Sequence, residues 1–263
     1  MSRTLKVAVL GLGEAGSAIA ADLARAGEEV RGYDPHPVAT PAGVQRFDEA
    51  GLAVAGCSSV LAVTAASRAK EALAQVLEFL DQGCVYADLS TGSPGLKEAL
   101  AAEVARRQVG FADVALMAPV PGRGLGTPAL AAGSGAETYA SLINARGGQV
   151  EVVGERAGAA AARKLLRSVV MKGLAALLME STEAASRYGE GEWFWSHLID
   201  QLGSIDEALV ERLLSATALH APRRLEEMEA AQDLLTELGV PATMTAATIA
   251  HLRRLVAETK PLP

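Results

Sequence analysis

Residues 6–34 read KVAVLGLGEAGSAIAADLARAGEEVRGYD. The apolar run Val7–Leu10 ends in Gly11-Leu12-Gly13-Glu14-Ala15-Gly16, and Ala18, Ile19, Leu23 and Ala24 then recur at helical spacing until Gly27 stops them. That pattern predicts strand, tight turn, helix. Gly11 allows the turn, Gly13 lets a pyrophosphate approach the backbone, and Gly16 lets the helix lie close to the strand. The helix N-terminus then faces phosphate with amides that have no partner inside the helix. A second strand, Glu29–Tyr33, delivers Asp34. A carboxylate at that tip accepts hydrogen bonds from ribose hydroxyls and repels a 2′-phosphate, so NAD is expected ahead of NADP. Glycine-rich turns also serve as plain loop punctuation, and the strand, helix and acidic residue around this one favour a dinucleotide. His36 reads as a solvated loop residue between Pro35 and Pro37, with a cation for a 2′-phosphate as its alternative role.

Beyond this unit the alternation continues. Strands are expected at Val44–Phe47, Ser59–Thr64, Val85–Leu89, Val109–Val114 and Val150–Val153. Helices are expected at Ala69–Leu80, from Ser93-Pro94 to about Arg107, and at Glu137–Ala145. The strands are apolar without alternation, which means burial on both faces. The result is a doubly wound, mostly parallel α/β sheet. Ligands in such sheets sit over the carboxyl ends of the strands, so the loops at Gly11, Asp34, Thr64-Ala65, Ser90-Thr91 and Met117 share one cleft. For Ser90 and Thr91 ordinary turn and cap chemistry is the competing explanation. Ala115–Gly133, rich in Gly and Pro and carrying the single charge Arg123, reads as loop throughout.

Nothing resembling a strand follows Gly154, and the remainder is helix-forming. The expected division is a nucleotide-binding domain over 1–154 and an all-α domain over 155–263. On the long helix from Gly158 to about Tyr188, Arg167, Ser168, Met171 and Lys172 lie within about 80° of Lys164 when residues advance about 100° each. Leu165, Leu166, Val169, Val170 and Leu177 form the apolar back. From periodicity alone a basic front is a solvated face. Trp193 and Trp195 read as core or subunit packing. Arg223 and Arg224, just after His220-Ala221-Pro222, oppose the dipole of the helix they open, so an anionic ligand or a partner's carboxylates should favour them.

The bulk properties narrow the class. A chain of 263 residues, half of them hydrophobic, buries a full core. A net charge of −7 argues against nucleic acid or an anionic membrane as the main partner. No uncharged apolar run reaches membrane-spanning length, and the lead-in MSRTLK leaves no room for a signal peptide. Cys57 and Cys84 read as reduced core thiols, with the cytoplasm as the expected compartment. No metal-ligating cluster is expected.

Three stretches carry a resemblance: Gly11-Leu12-Gly13-Glu14-Ala15-Gly16, Asp88-Leu89-Ser90-Thr91-Gly92-Ser93-Pro94, and Gly158 leading to Lys164. Over nearly its whole length the chain resembles the superfamily of β-hydroxyacid dehydrogenases and 6-phosphogluconate dehydrogenase, whose loop reads Asp-x-Ser-Thr-x-x-Pro. Asp113–Pro121, Lys172-Gly173-Leu174 and His220–Arg224 resemble a short branch whose C-terminal domain has no assigned function. The resemblance implies a Rossmann domain and an all-α C-terminal domain, with Lys164 as general acid/base. The chain departs from the family pattern at three places: Met117-Ala118-Pro119 replaces a Ser-Gly-Gly substrate loop, Ser168 stands where asparagine is usual, and Glu226 stands where a later helix offers lysine.

The expected activity is hydride transfer between NAD (or NADP) and a small, anionic, hydroxyacid-type substrate. Lys164 takes or gives the proton, and Ser90, Thr91 and Ser168 orient oxygens. Burial beside Arg167 and Lys172 is expected to lower the pKa of Lys164 toward neutrality. The anion would be met by residues among Arg123, Arg167, Lys172, His220, Arg223 and Arg224. Two rivals stand beside it: an NADPH-dependent ketone or imine reductase, and a dinucleotide-binding sensor without redox chemistry. The apolar-backed helix and the tryptophans point to a homodimer through the C-terminal helices.

Overall fold

Glycine placement sets the first half of the fold. In the computed structural model, which describes residues 4–259, β1 (Lys6–Leu10) runs into α1 (Glu14–Arg25) through the Gly11–Gly13 turn. Gly11 has φ +95°, a left-handed conformation natural to glycine, and a side chain there would overlap the carbonyl of Val63. A side chain on Gly16 would overlap the carbonyl oxygen of Gly11. The helix therefore touches the turn backbone to backbone. Residues 1–3 and 260–263 lie outside the described residues, and with them the Met-Ser-Arg of the expected lead-in.

The chain continues through β2 (Glu29–Tyr33), β3 (Val44–Arg46), α2 (Ala50–Val54), β4 (Ser59–Ala62), α3 (Ala69–Val76), β5 (Val85–Asp88), α4 (Pro94–Ala105) and β6 (Gly110–Leu116). β7 (Pro128–Ala132), α5 (Ala136–Asn144) and β8 (Gln149–Gly154) complete the sheet, in the order β3-β2-β1-β4-β5-β6-β7-β8. All neighbours are parallel except β6 and β7. The direction of winding reverses between β1 and β4, which opens a crevice at their carboxyl ends. This is the expected doubly wound, mostly parallel sheet.

Two apolar cores cover the two faces. One packs Val7, Val9, Ile19, Leu23, Leu61, Val114, Tyr139 and Ile143, bringing α1 and α5 onto the sheet. The other packs Leu10, Val54, Val60, Leu73, Val76, Tyr86, Leu100 and Phe111 beneath α2, α3 and α4. Cys57 and Cys84 are free and buried there, and burial pushes their thiols up to about 11 and about 12. Before β1 and β2, Arg146 Nε donates to Glu28 Oε1 at 2.7 Å, and Glu28 Oε2 accepts the amide of Leu5 at 2.6 Å.

The all-loop reading of Ala115–Gly133 is corrected. Residues 115–116 finish β6, and Pro128–Ala132 forms the antiparallel strand β7. Pro128 starts that strand, where its missing N–H costs least, and Gly133 ends it, so a five-residue apolar strand was hidden between turn residues. The short helix α2 was also absent from the sequence pattern.

The chain then forms α6 (Ala159–Tyr188), α7 (Gly191–Gly203), α8 (Glu207–Leu219), α9 (Ala221–Glu237) and α10 (Thr243–Thr259). Two compact units result, Met1–Arg167 and Ser168–Pro263. In the second, Leu235 and Val240 pack with Ala184 in a small core. Glu180 of α6 caps α10, accepting from the amides of Met244 at 2.7 Å and Thr245 at 2.9 Å and from Thr245 Oγ1 at 2.7 Å. Desolvation raises the Glu180 pKa, but the bonds from Thr245, Met244 and Thr243 outweigh it, so the net shift is downward. The apolar back of α6 is largely uncovered by the described residues: Leu166, Val169, Val170 and Leu177 are exposed, Val169 at 73%.

Two outcomes follow. Gly16→Ala should destabilise the chain by about 2 kcal/mol or more, because backbone and not a movable side chain opposes the new methyl group; a denaturant titration measures this. The Glu180 contribution is fully present above its unfolded-state pKa and is lost as pH falls through its lower folded-state value. Glu180→Gln should therefore cost about 1 kcal/mol at neutral pH and flatten the stability loss on acidification, read from thermal midpoints across that range.

Candidate active site

Sheet topology brings the carboxyl ends of β1, β4 and β5 side by side, and the residues leaving them line two adjoining clefts. The first, about 400 Å³, is lined by Gly11, Gly13, Asp34, His36, Thr64 and Ala65, among others. The second, about 480 Å³, is lined by Gly13–Gly16, Thr64–Ala66, Leu89, Ser90, Thr91 and Leu116. Except for Leu12, whose side chain is buried in the core, the sequence-predicted cofactor residues line one or both of these clefts.

Three local features suit a dinucleotide. A methyl group built on Gly13 meets nothing within 4 Å, so the backbone there is open to a close-approaching phosphate. Gly13 is the N-cap of α1 and offers no capping side chain, leaving the first-turn amides to a ligand. Thr64 lines both clefts, and its buried Oγ1 has no hydrogen-bond partner among the described residues. A buried hydroxyl costs free energy until something pairs with it, and a ligand in the cleft would do so.

The acidic tip of β2 is bound into the turn. Asp34 Oδ2 accepts the amide of Leu12 at 2.7 Å, and Oδ1 accepts the amide of His36 at 2.9 Å. Each oxygen keeps a further lone pair for a ribose hydroxyl. Arg46, which no local pattern singled out, closes the loop beyond. Its guanidinium donates to the carbonyls of Val38 at 2.7 Å, Asp34 at 3.0 Å and His36 at 2.8 Å. His36 is exposed, as a solvated loop residue should be.

On the other side, Ser93 caps α4 through the amide of Leu96 at 3.2 Å, which frees Ser90 and Thr91 from that role. Ser90 is buried; its Oγ donates to Asp88 Oδ2 at 2.9 Å, and its amide donates to Oδ1 at 3.2 Å. Lys164, in the second turn of α6 and partly buried, donates from Nζ to Thr91 Oγ1 at 2.9 Å. One turn on, Arg167 Nη1 donates to the carbonyl of Met117 at 3.1 Å. Both contacts lie within the first compact unit. The first of them sets the Lys164 amine against Thr91, a residue that lines the second cleft. Asp88, Asp113 and Lys97, which sequence reasoning passed over, lie directly behind.

The other basic candidates are spread out. The Arg123 loop packs near the C-terminal half of α1, where Asp22 Oδ2 accepts the amide of Leu125 at 2.8 Å. Ser168 begins the second unit, which also holds Lys172, His220, Arg223 and Arg224. Lys172, His220 and Arg223 are exposed, while Arg224 Nη1 donates to Thr217 Oγ1 at 2.7 Å. That bond supplies a local partner for one of the two arginines that oppose the α9 dipole. Among the described residues no group of acidic, histidine or cysteine side chains has the arrangement of a metal site, and no helix is long and apolar enough to cross a membrane.

The family described as the NAD binding domain of 6-phosphogluconate dehydrogenase matches residues 6–154, and a domain of unknown function (DUF1932) matches residues 185–255. No curated protein matches the chain. Among solved structures, a conserved hypothetical protein from Sinorhizobium meliloti 1021 is 30% identical, with 99% of this chain and 91% of that one covered and a TM-score of 0.66. A conserved protein of unknown function, MTH1747, described as structurally similar to 3-hydroxyacid dehydrogenases, is also 30% identical over 95% of this chain and 96% of that one, with a TM-score of 0.64. An imine reductase variant from Myxococcus stipitatus solved with NAD+ shares the fold at a TM-score of 0.82 and 18% identity, covering 98% of this chain and 95% of that one. With the glycine turn and strand order in place, the chain belongs to the 6-phosphogluconate dehydrogenase-like family of NAD(P)-binding oxidoreductases, in a branch that carries the DUF1932 domain at its C-terminal end.

Proposed function

We propose that the chain transfers hydride between a nicotinamide dinucleotide and a small, anionic, hydroxyacid-type substrate, with Lys164 as the general acid/base. The observation that carries this reading is the Lys164 Nζ to Thr91 Oγ1 hydrogen bond of 2.9 Å at the rim of the cleft lined by Gly13–Gly16 and Ser90. Gly11–Gly16, Thr64, Ala65 and Ser90 would hold the dinucleotide, with Asp34 on a ribose and NAD favoured over NADP. The bound dinucleotide supplies or accepts the hydride.

Oxidising a carbinol removes hydride from carbon and a proton from oxygen; Lys164 takes that proton as the carbonyl forms and returns it in the reverse direction. Ser90, Thr91 and Ser168 orient the substrate oxygens. Arg167 is the basic residue nearest in sequence to Lys164 on the same side of α6, and it is the first candidate for the substrate anion. Arg123, Lys172, His220, Arg223 and Arg224 are the others. Residues 1–154 form the NAD(P)-binding domain, and 155–263 form the all-helical substrate and dimerisation domain. The buried thiols Cys57 and Cys84 support a reducing, cytoplasmic setting.

The dimer reading is supported by α7 and α8, in which no residue is fully buried although Trp193, Trp195, Val210 and Leu214 are large and apolar. Leu214 is 72% exposed, and the same helices of a second copy supply a matching apolar face. A second reading, reduction of a ketone or imine, is favoured by Met117-Ala118-Pro119, which offers no side-chain donor where a carboxylate would be bound.

Lys164→Ala should lower turnover about 10²- to 10⁴-fold while dinucleotide affinity stays within about 2-fold, measured by steady-state kinetics and fluorescence titration. Unchanged turnover removes Lys164 from the chemistry. Hydroxyacids, ketones and ketone–amine mixtures assayed with NADH and NADPH separate the readings: oxidation of hydroxyacids with NAD supports the first, and imine reduction supports the second. Tight binding without turnover on any of them leaves a sensor. Sedimentation at micromolar concentration should show a dimer, and Trp195→Glu with Leu214→Glu should shift it to monomer; a wild-type monomer refutes the dimer.

A further inference from the structure

The strongest unexplained feature is a buried charge cluster behind the site. Lys97, on α4, has no exposed surface, and its Nζ donates to the carbonyl of Asp88 at 2.8 Å. The same nitrogen lies 2.9 Å from Asp88 Oδ2 and 3.4 Å from Asp113 Oδ1, and both carboxylates are fully buried. Asp88 and Asp113 are register partners on the parallel strands β5 and β6, so the sheet itself sets the carboxylates side by side. Two like charges so placed in a dry interior repel strongly, and one ammonium between them offsets that repulsion.

Each carboxylate has a second attachment. Asp88 fixes Ser90 through its hydroxyl at 2.9 Å and its amide at 3.2 Å. Asp113 Oδ2 accepts the amides of Gly158 and Ala161, both at 3.0 Å, and so caps the opening turn of α6. Gly158, at φ +92°, also lies against Pro94, the first residue of α4, where a side chain would meet the Pro94 carbonyl oxygen at 2.9 Å. One ammonium therefore anchors, through two strands, both the Ser90-Thr91 loop and the helix that presents Lys164. Those two pieces meet in the Lys164 to Thr91 hydrogen bond. Among the described residues Asp113 Oδ1 has no hydrogen-bond partner of its own, which leaves the Lys97 ion pair as its compensation.

We propose that Lys97 is a positioning residue for proton transfer: by holding Asp88 and Asp113 together it fixes the separation of Thr91 and Lys164. The proposal rests on the reading of Lys164 as general acid/base. It differs from a role in stability alone because the effect must pass through the Thr91 contact.

The test uses the full chain with NAD bound, in the variant Lys97→Met. Amide exchange at Ser90, Gly158 and Ala161 should accelerate about 10-fold or more while Val7–Leu10 stay as protected as in wild type. Turnover should fall about 10- to 100-fold with KM and dinucleotide affinity within about 2-fold, since a displacement near 1 Å at reacting groups is enough. In a Thr91→Val background the further cost of Lys97→Met should shrink to about 2-fold, because the contact through which it acts is already gone. Where Lys97→Met does not fold, Lys97→Met with Asp88→Asn keeps the native net charge of the cluster, and the same exchange and kinetic measurements apply. Unchanged exchange at the three amides overturns the proposal, as does a full additive cost in the Thr91→Val background or loss of dinucleotide binding in both variants. The exchange measurement needs no substrate. If Lys164→Ala stays active while the three amides respond as expected, the functional reading fails and the mechanical coupling stands.

Discussion

Backbone contact between the Gly16 turn of α1 and the Gly11 carbonyl is the constraint on which the first unit depends. A helix that can lie this close to β1 directs its N-terminus at the crevice where the winding reverses, and the open space over Gly13 is the counterpart of that contact. Asp34 reinforces the arrangement by accepting the Leu12 amide, so the acidic tip of β2 is part of the turn as well as a neighbour of the ligand site. Thr64, just past β4, lines the same crevice, and its buried hydroxyl has no partner among the described residues.

A second constraint is electrostatic and sits deeper. Asp88 and Asp113 lie at paired positions on adjacent strands with Lys97 between them, all fully buried. A cluster of this kind is poor value for stability alone, since apolar residues of similar volume fill such space at lower desolvation cost. Its geometric consequence is clearer. The loop bearing Thr91 and the helix bearing Lys164 are tied to neighbouring strands, and their side chains meet at 2.9 Å.

Much of the fold was legible because its signals are local. The glycine spacing at residues 11–16, the apolar strands without alternation and the Ser93-Pro94 helix start each depend on residues close in sequence, and each led to the observed element. β7 was not legible. Its five residues are apolar but bounded by proline and glycine, and pairing with β6 and β8, a tertiary effect, makes it a strand. The Lys97 cluster was hidden for a similar reason: a lysine among α4 residues reads as a solvated charge until the strand register brings two carboxylates to it. The α6 periodicity grouped Lys164 with Arg167 on one side and left an apolar back on the other, which the sequence reading assigned to a second copy. Among the described residues nothing covers Val169 and Val170.

The most direct measurement is a crystal structure of the chain with NAD and a small hydroxyacid or its oxo analogue. The Lys164 amine should lie within hydrogen-bonding reach of the substrate's hydroxyl or carbonyl oxygen, with Thr91 beside it. An amine turned to solvent while substrate and nicotinamide sit together elsewhere would contradict its assignment as the proton carrier.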